Sequence, residues 1–249
     1  MPTPDLRTFP EAGTVMDGAK FDDYLRPAAL IDSNHPAIRE YAEMKAGRIA
    51  DPVAKAVALY YGIRDEVRYD PYGSPLKPEA YVASTVLLRR HGYCVNKAGL
   101  MAAVARAAGI PARAGFADVR NHMTTKKLSE RMGTDIFYFH GYTDLWLEDK
   151  WVKCTPAFNI ELTDKFRLKP LEFDGREDSI YHPIDQDGRR HMEYLAYRGV
   201  YADVPFETIK ACFLEKYPHM RNRDGDGAER GDFAAEGEAE ARERERGRC

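Results

Sequence analysis

Two side chains, Cys94 and His140, sit in settings that could support chemistry. Cys94 lies in "HGYCVNKAGLMAAVARAAGIPARAG", just after Gly92 and Tyr93, at the head of an Ala-rich apolar run that stops at Gly109-Ile110-Pro111. A cysteine attacks as the thiolate, and the unpaired N–H groups and dipole of a helix start favour that anion. Gly92 would let a substrate backbone come close. A small buried core cysteine fits the same residues, so the reading turns on whether a base exists.

The candidate base is His140, in "IFYFHGYTDLWLE". Period-two alternation puts Phe137, Phe139, Leu145 and Leu147 on one face. Tyr138, His140, Tyr142, Asp144 and Trp146 then share the other, as a cleft lining would. A histidine on a solvated sheet face would give the same pattern.

The elements that must position this pair can be read from local signals. Pro36 opens and Gly47 closes a first helix, "PAIREYAEMKAG". Asp51-Pro52 starts a second, through Val67, and Pro78 a third, through Arg90. The helix from Cys94 is apolar nearly all round, which predicts burial on several sides. A strand, "ARAGFADV", follows, then a polar segment with a short helix. Two strands around an Asp149-Lys150 turn come next. After a loop-like stretch over 170–191, a last helix follows Pro205. Helices followed by strands predict an α+β fold with a mostly antiparallel sheet rather than βαβ alternation. Residues 1–34 read as an irregular N-terminal segment on the surface, and 35–218 as the folded domain with its C-terminal extension. Residues 219–249, charged and Gly-rich, read as a disordered tail, partly helical at most.

The 249 residues carry a formal net charge of -3, which gives no electrostatic case for nucleic acid or an anionic membrane. The first residues show no apolar signal-peptide region, and no stretch is long and apolar enough to span a bilayer. Cys94, Cys154, Cys212 and Cys249 form neither a C-x-x-C pair nor a disulfide framework, so a reduced, cytoplasmic protein is expected. No metal and no cofactor is expected. The acidic run "DGREDSIYHPIDQDG" lacks the spacing of a calcium loop and reads as solvated. "TTKKLSER" reads as a helix's wet face.

Taken together, Cys94, the run "AAVARAAGIPARAGFADV", His140 and "WLEDKWVKCTPAFN" resemble the transglutaminase-like superfamily of cysteine enzymes. The upstream "EAYVASTVLLRRHGYC" matches that family's usual lead-in, and the resemblance covers roughly residues 52–159. It implies a papain-like arrangement, with the cysteine-bearing helix packed on the sheet. Cys94 would be the nucleophile and His140 would take its proton, then return it to the leaving amine. The family's third member, a carboxylate that orients the imidazole, falls where this chain has Thr155. Threonine can accept from a ring N–H but cannot stabilise an imidazolium by charge. Asn159 is the alternative: a pairing that sets 148 opposite 151 places it across from His140. Asp144, four residues along the strand, is ~13 Å from His140. The oxyanion hole would use the Cys94 backbone N–H. Tyr69 is the candidate second donor or a loop-packing residue, and Tyr93 lines the cleft or packs.

These residues imply acyl transfer through a Cys94 thioester on a peptide or an amide-bearing small molecule, with hydrolysis favoured over crosslinking. A transglutaminase-like binding module without catalysis is the competing reading, supported by Thr155. A redox thiol would need Cys154 as its partner.

Overall fold

The computed structural model describes residues 20–73, 75–122, 124–180, 192–217 and 231–246. Three helices come first: α1 (Pro36–Ala46), α2 (Pro52–Glu66) and α3 (Ala83–Arg89). The expected third helix is divided, with a 3-10 turn at Pro78–Tyr81 set off by extended Val82. Two short strands, β1 (Arg68–Tyr69) and β2 (His91–Gly92), pair in parallel and deliver the chain to α4 (Cys94–Ala107).

As its composition predicts, α4 is buried almost throughout, from Cys94 to Arg106. Lys97, one turn past Cys94, is fully buried, and its ammonium donates to the carbonyls of Arg64 (2.9 Å) and Val67. It thereby satisfies carbonyls at the C-terminal end of α2, where a helix leaves acceptors unpaired and favours a cation. Burial pushes its pKa well below the usual lysine range.

The sheet packs on α4. Its strands are β3 (Ala112–Asn121), β4 (Ile136–Leu147), β5 (Lys150–Cys154) and β6 (Met192–Tyr201), in the order β5-β4-β3-β6 with every pair antiparallel. A short helix, α5 (Lys126–Met132), joins β3 to β4, and α6 (Ile160–Phe166) follows β5. The β4–β5 hairpin turns through Glu148 and Asp149, both at positive φ, so Leu147 faces Lys150. This register differs by two from the 148–151 pairing expected from sequence. β5 also ends at Cys154, so Asn159 does not lie opposite His140 in the ladder.

On the α4 side of β4, Gly141 abuts Val95, the Thr143 hydroxyl donates to the Ala98 carbonyl (2.9 Å), and Leu145 and Leu147 are buried. The opposite face is not solvated. Residues 20–34, expected on the surface, contribute Phe21 and Tyr24, whose rings pack on Trp146 and Trp151 at 5.3 Å each. Enough aromatic area is gained to hold this irregular segment down.

β6 was not legible as a strand, because two register breaks against β3 destroy its alternation. Within the expected tail, the partly helical stretch is a docked helix. α8 (Phe233–Arg246) is a formed helix with Phe233 buried against Phe166 (5.0 Å), Tyr69 (5.6 Å) and Tyr72 (6.3 Å). Glu236 meets the Tyr72 hydroxyl, and Glu240 accepts from the Lys126 amide (2.7 Å). One aromatic anchor and a few charged contacts suffice because the docking site already exists on α6 and α5.

Gly237 makes that seat possible, since a Cβ there would collide with the Phe166 ring. Gly237→Val should lift α8, at a cost of ~1–3 kcal/mol. Limited proteolysis should then cut within 232–246 well before the rest of the chain. A helix as resistant as in the parent would contradict this packing.

No helix among the described residues is long and apolar enough to cross a membrane.

Candidate active site

Cys94 is the first residue of α4, and Tyr93 is its N-cap. The turn is held from within. Asn96 accepts from the Tyr93 amide (3.2 Å) and donates to the Ala80 carbonyl (3.0 Å). Gly92 serves this turn rather than a substrate backbone, because a Cβ there would stand 2.8 Å from Cβ of Asn96.

The thiol is buried, with 5% exposure. Three amides are directed at the sulfur, those of Gly141, Val95 and Cys94 itself, and all favour the thiolate. Burial outweighs them and pushes the pKa up to about 11. The expectation that the helix start lowers this pKa is therefore overturned: the dipole acts, but desolvation is the larger effect. In this closed arrangement the sulfur carries its proton.

The Gly141 amide belongs to the peptide unit that follows His140. β4 can come this close because position 141 has no side chain. A Cβ there would lie 2.9 Å from the Val95 Cα and 3.0 Å from the Cys94 carbonyl oxygen. The backbone of His140 is thus delivered beside the thiol, and its side chain is buried.

The preceding residue, Phe139, has φ 54°, which a bulky residue adopts only where its surroundings impose it. It lies in a β-bulge: Ala117 pairs with His140 and Val119 with Phe137, so Tyr138 and Phe139 together oppose Asp118.

Tyr69, Tyr81, Tyr93 and Tyr217 surround Cys94 electrostatically; burial first, with the Cys94 charge among the further causes, pushes their ionisation up. Each stays a neutral phenol at ordinary pH. Tyr69 therefore keeps its O–H proton. The Tyr93 hydroxyl is engaged with that of Tyr81 at 2.6 Å. Tyr217, just beyond α7 (Phe206–Lys216), was not foreseen. Its hydroxyl accepts from the Tyr138 amide (2.8 Å) and donates to the Ile136 carbonyl (3.2 Å), fastening α7 to the start of β4. No sequence signal pointed to it, since only contact with β4 gives it a role.

The two candidates for orienting His140 fare differently. The Thr155 hydroxyl is buried and makes no hydrogen bond among the described residues, so it does not hold the imidazole; its amide donates to the Ser179 carbonyl (3.0 Å). Asn159 Oδ1 accepts from the Tyr69 amide (3.2 Å) and fixes the strand that carries Tyr69. Asp144 is committed to Arg113 (3.0 Å) in a buried pair. Cys94, Cys154 and Cys212 are free thiols. Cys154 is fully buried beside Thr143 in the β4–β5 ladder. Cys249 and the 181–188 part of the acidic run lie outside the described residues.

The architecture is α+β: a cysteine heads a buried helix laid on an antiparallel sheet, and the residue after a strand histidine touches that helix start. Residues 39–156 match the family model of the transglutaminase-like superfamily. Among solved structures, the chain is similar to a candidate cysteine protease from Cytophaga hutchinsonii. The identity is 21% over 55% of this chain and 41% of that one, with a TM-score of 0.43. It is also similar to the periplasmic domain of TgpA from Pseudomonas aeruginosa (22% identity, 56% and 48%, TM-score 0.39). A third is the red sea bream transglutaminase (16%, 80% and 41%, TM-score 0.35). The chain thus spans less than half the length of each of these three. No curated protein matches it.

Proposed function

We propose that this protein is a cysteine acyl-transfer enzyme that cleaves a peptide or amide bond through a thioester on Cys94. His140 acts as the base that takes the thiol proton and then as the acid that protonates the leaving amine. The observation that carries this reading is the Gly141 amide directed at the sulfur, one peptide unit from His140. The Cys94 amide, with the Tyr69 hydroxyl as a second donor, would receive the developing oxyanion.

A raised resting pKa suits such a pair. A protonated thiol is protected until substrate displaces part of its apolar cover and the imidazole can take the proton. We place hydrolysis ahead of amine transfer, because no acceptor-binding feature stands out in the sequence. A reduced, cytoplasmic setting is part of the same proposal, resting on the scattered cysteines.

The burial of Cys94 and the missing carboxylate at Thr155 favour one other reading, a binding module that keeps the fold without catalysis. Exposure to p-nitrophenyl acetate followed by peptide mapping separates the two. The acyl group should be found on Cys94, discharged by hydroxylamine, and lost in His140→Ala. Acetylation confined to Cys212 or Cys249 would favour the module.

A further inference from the structure

We infer that Asp118, clamped by Arg198, is a positioning residue for the Cys94–His140 pair. The inference rests on the catalytic reading above and adds the group that sets its geometry. Three observations converge on Asp118, which is 4% exposed in the middle of β3. First, its Oδ1 accepts from the amide of Phe139 at 3.1 Å, the residue held at φ 54°. Second, Arg198 grips the same carboxylate in a fork, Nε to Oδ1 and Oδ2 at 3.0 and 2.9 Å and Nη2 to Oδ2 at 2.6 Å. Its guanidinium also stands 5.4 Å from the centre of the Phe139 ring. Third, both neighbouring strands break register around this one residue. β4 supplies two residues opposite Asp118, while β6 pairs Ala117 with Tyr197 and Phe116 with Gly199, so that Arg198 is extruded beside Gly199 at φ 99°.

The physical sense is local. A bulge leaves one backbone amide without a ladder partner. Asp118 supplies that partner for Phe139, and so holds a backbone conformation that Phe139 would otherwise leave. The next two residues are His140 and Gly141. A relaxed Phe139 would rotate the strand from which the imidazole springs and withdraw the Gly141 amide from the sulfur. Arg198 fixes the carboxylate in two directions at once, which a single hydrogen bond would not do. Tyr217 holds the Tyr138 amide from the other element packed here, so both bulge amides are tied by side chains.

The test is acylation of Cys94 by p-nitrophenyl acetate, with rate and half-saturation measured separately, in the full chain. Asp118→Ala should lower the acylation rate about 10²-fold with little change in half-saturation, the loss expected of misplaced groups. Asp118→Asn keeps an acceptor for the Phe139 amide and should recover most of it. Arg198→Ala, at a partly exposed position, should give an intermediate loss in a chain that still melts cooperatively, which covers the case of Asp118→Ala failing to fold. Full rates in folded Asp118→Ala and Arg198→Ala, alongside a slow His140→Ala, would overturn this inference and leave the catalytic reading intact. No acylation of Cys94 in the parent chain would instead defeat the catalytic reading itself.

Discussion

Cys94→Ala should remove acyl transfer almost completely, by about 10⁴-fold or more, because loss of a nucleophile that acts as a unit with its base leaves only binding and oxyanion stabilisation. The same substitution has a second signature. The folded thiol loses its proton near pH 11, against 9.0 for an ordinary thiol, because burial disfavours the charge. Between those values the unfolded chain has released a proton that the folded chain still holds. Stability therefore falls as pH rises from about 9 to 11, by at most ~3 kcal/mol. The tyrosines that also resist ionisation contribute in both chains, so the difference between parent and Cys94→Ala isolates the thiol. Urea unfolding at pH 7.5, 9.5 and 10.5 measures it. The parent should lose ground relative to Cys94→Ala as pH rises, and parallel curves would mean that the sulfur is not desolvated. Alkylation of Cys94 by iodoacetamide should likewise be slow at neutral pH and accelerate toward pH 11.

Gly141→Val should be as damaging to activity as loss of the nucleophile, and far more damaging to the fold. A Cβ at this position would meet the Cα and amide of Val95 at 2.9 and 3.1 Å and the Cys94 carbonyl at 3.0 Å. These are backbone atoms at the start of a helix buried along its length, so no flexible side-chain tip can give way. β4 must lift from α4. That would break the Gly141 contact with the sulfur and strain the Thr143 bond to Ala98. A cost of ~3 kcal/mol or more is expected from overpacking against immovable neighbours. Gly141→Ala should lie between parent and valine in both melting temperature and rate. A Gly141→Val chain with parental stability would mean that the strand and helix are not in contact here.

Much of this arrangement could be read from residue order. The apolar girth of α4, its start at Cys94 and its stop at Gly109 follow from local signals, and so do the α+β class and the alternation from Gly141 to Leu147. What could not be read depends on geometry that local signals do not encode. The hairpin closes through two left-handed residues, Glu148 and Asp149, rather than at Asp149-Lys150, and that shift moves Asn159 away from His140. The bulge before His140 leaves no mark in the hydrophobic pattern, since Phe137 and Phe139 are apolar either way. The sign of the Cys94 shift was misjudged because a helix start is visible in sequence while the tyrosines that exclude water come from four separate stretches. The docking of α8 could not be read because its charge argues for solvation, whereas a single phenylalanine and one glycine decide it.

Lys97 offers an internal clock. Its amine is sealed between two helices, so an acylating reagent in the buffer reaches it only in molecules whose α2 and α4 have parted. The surface lysines would react at once and Lys97 late. The lag would record how often the scaffold beneath the nucleophile breathes, in the intact protein and without any substitution.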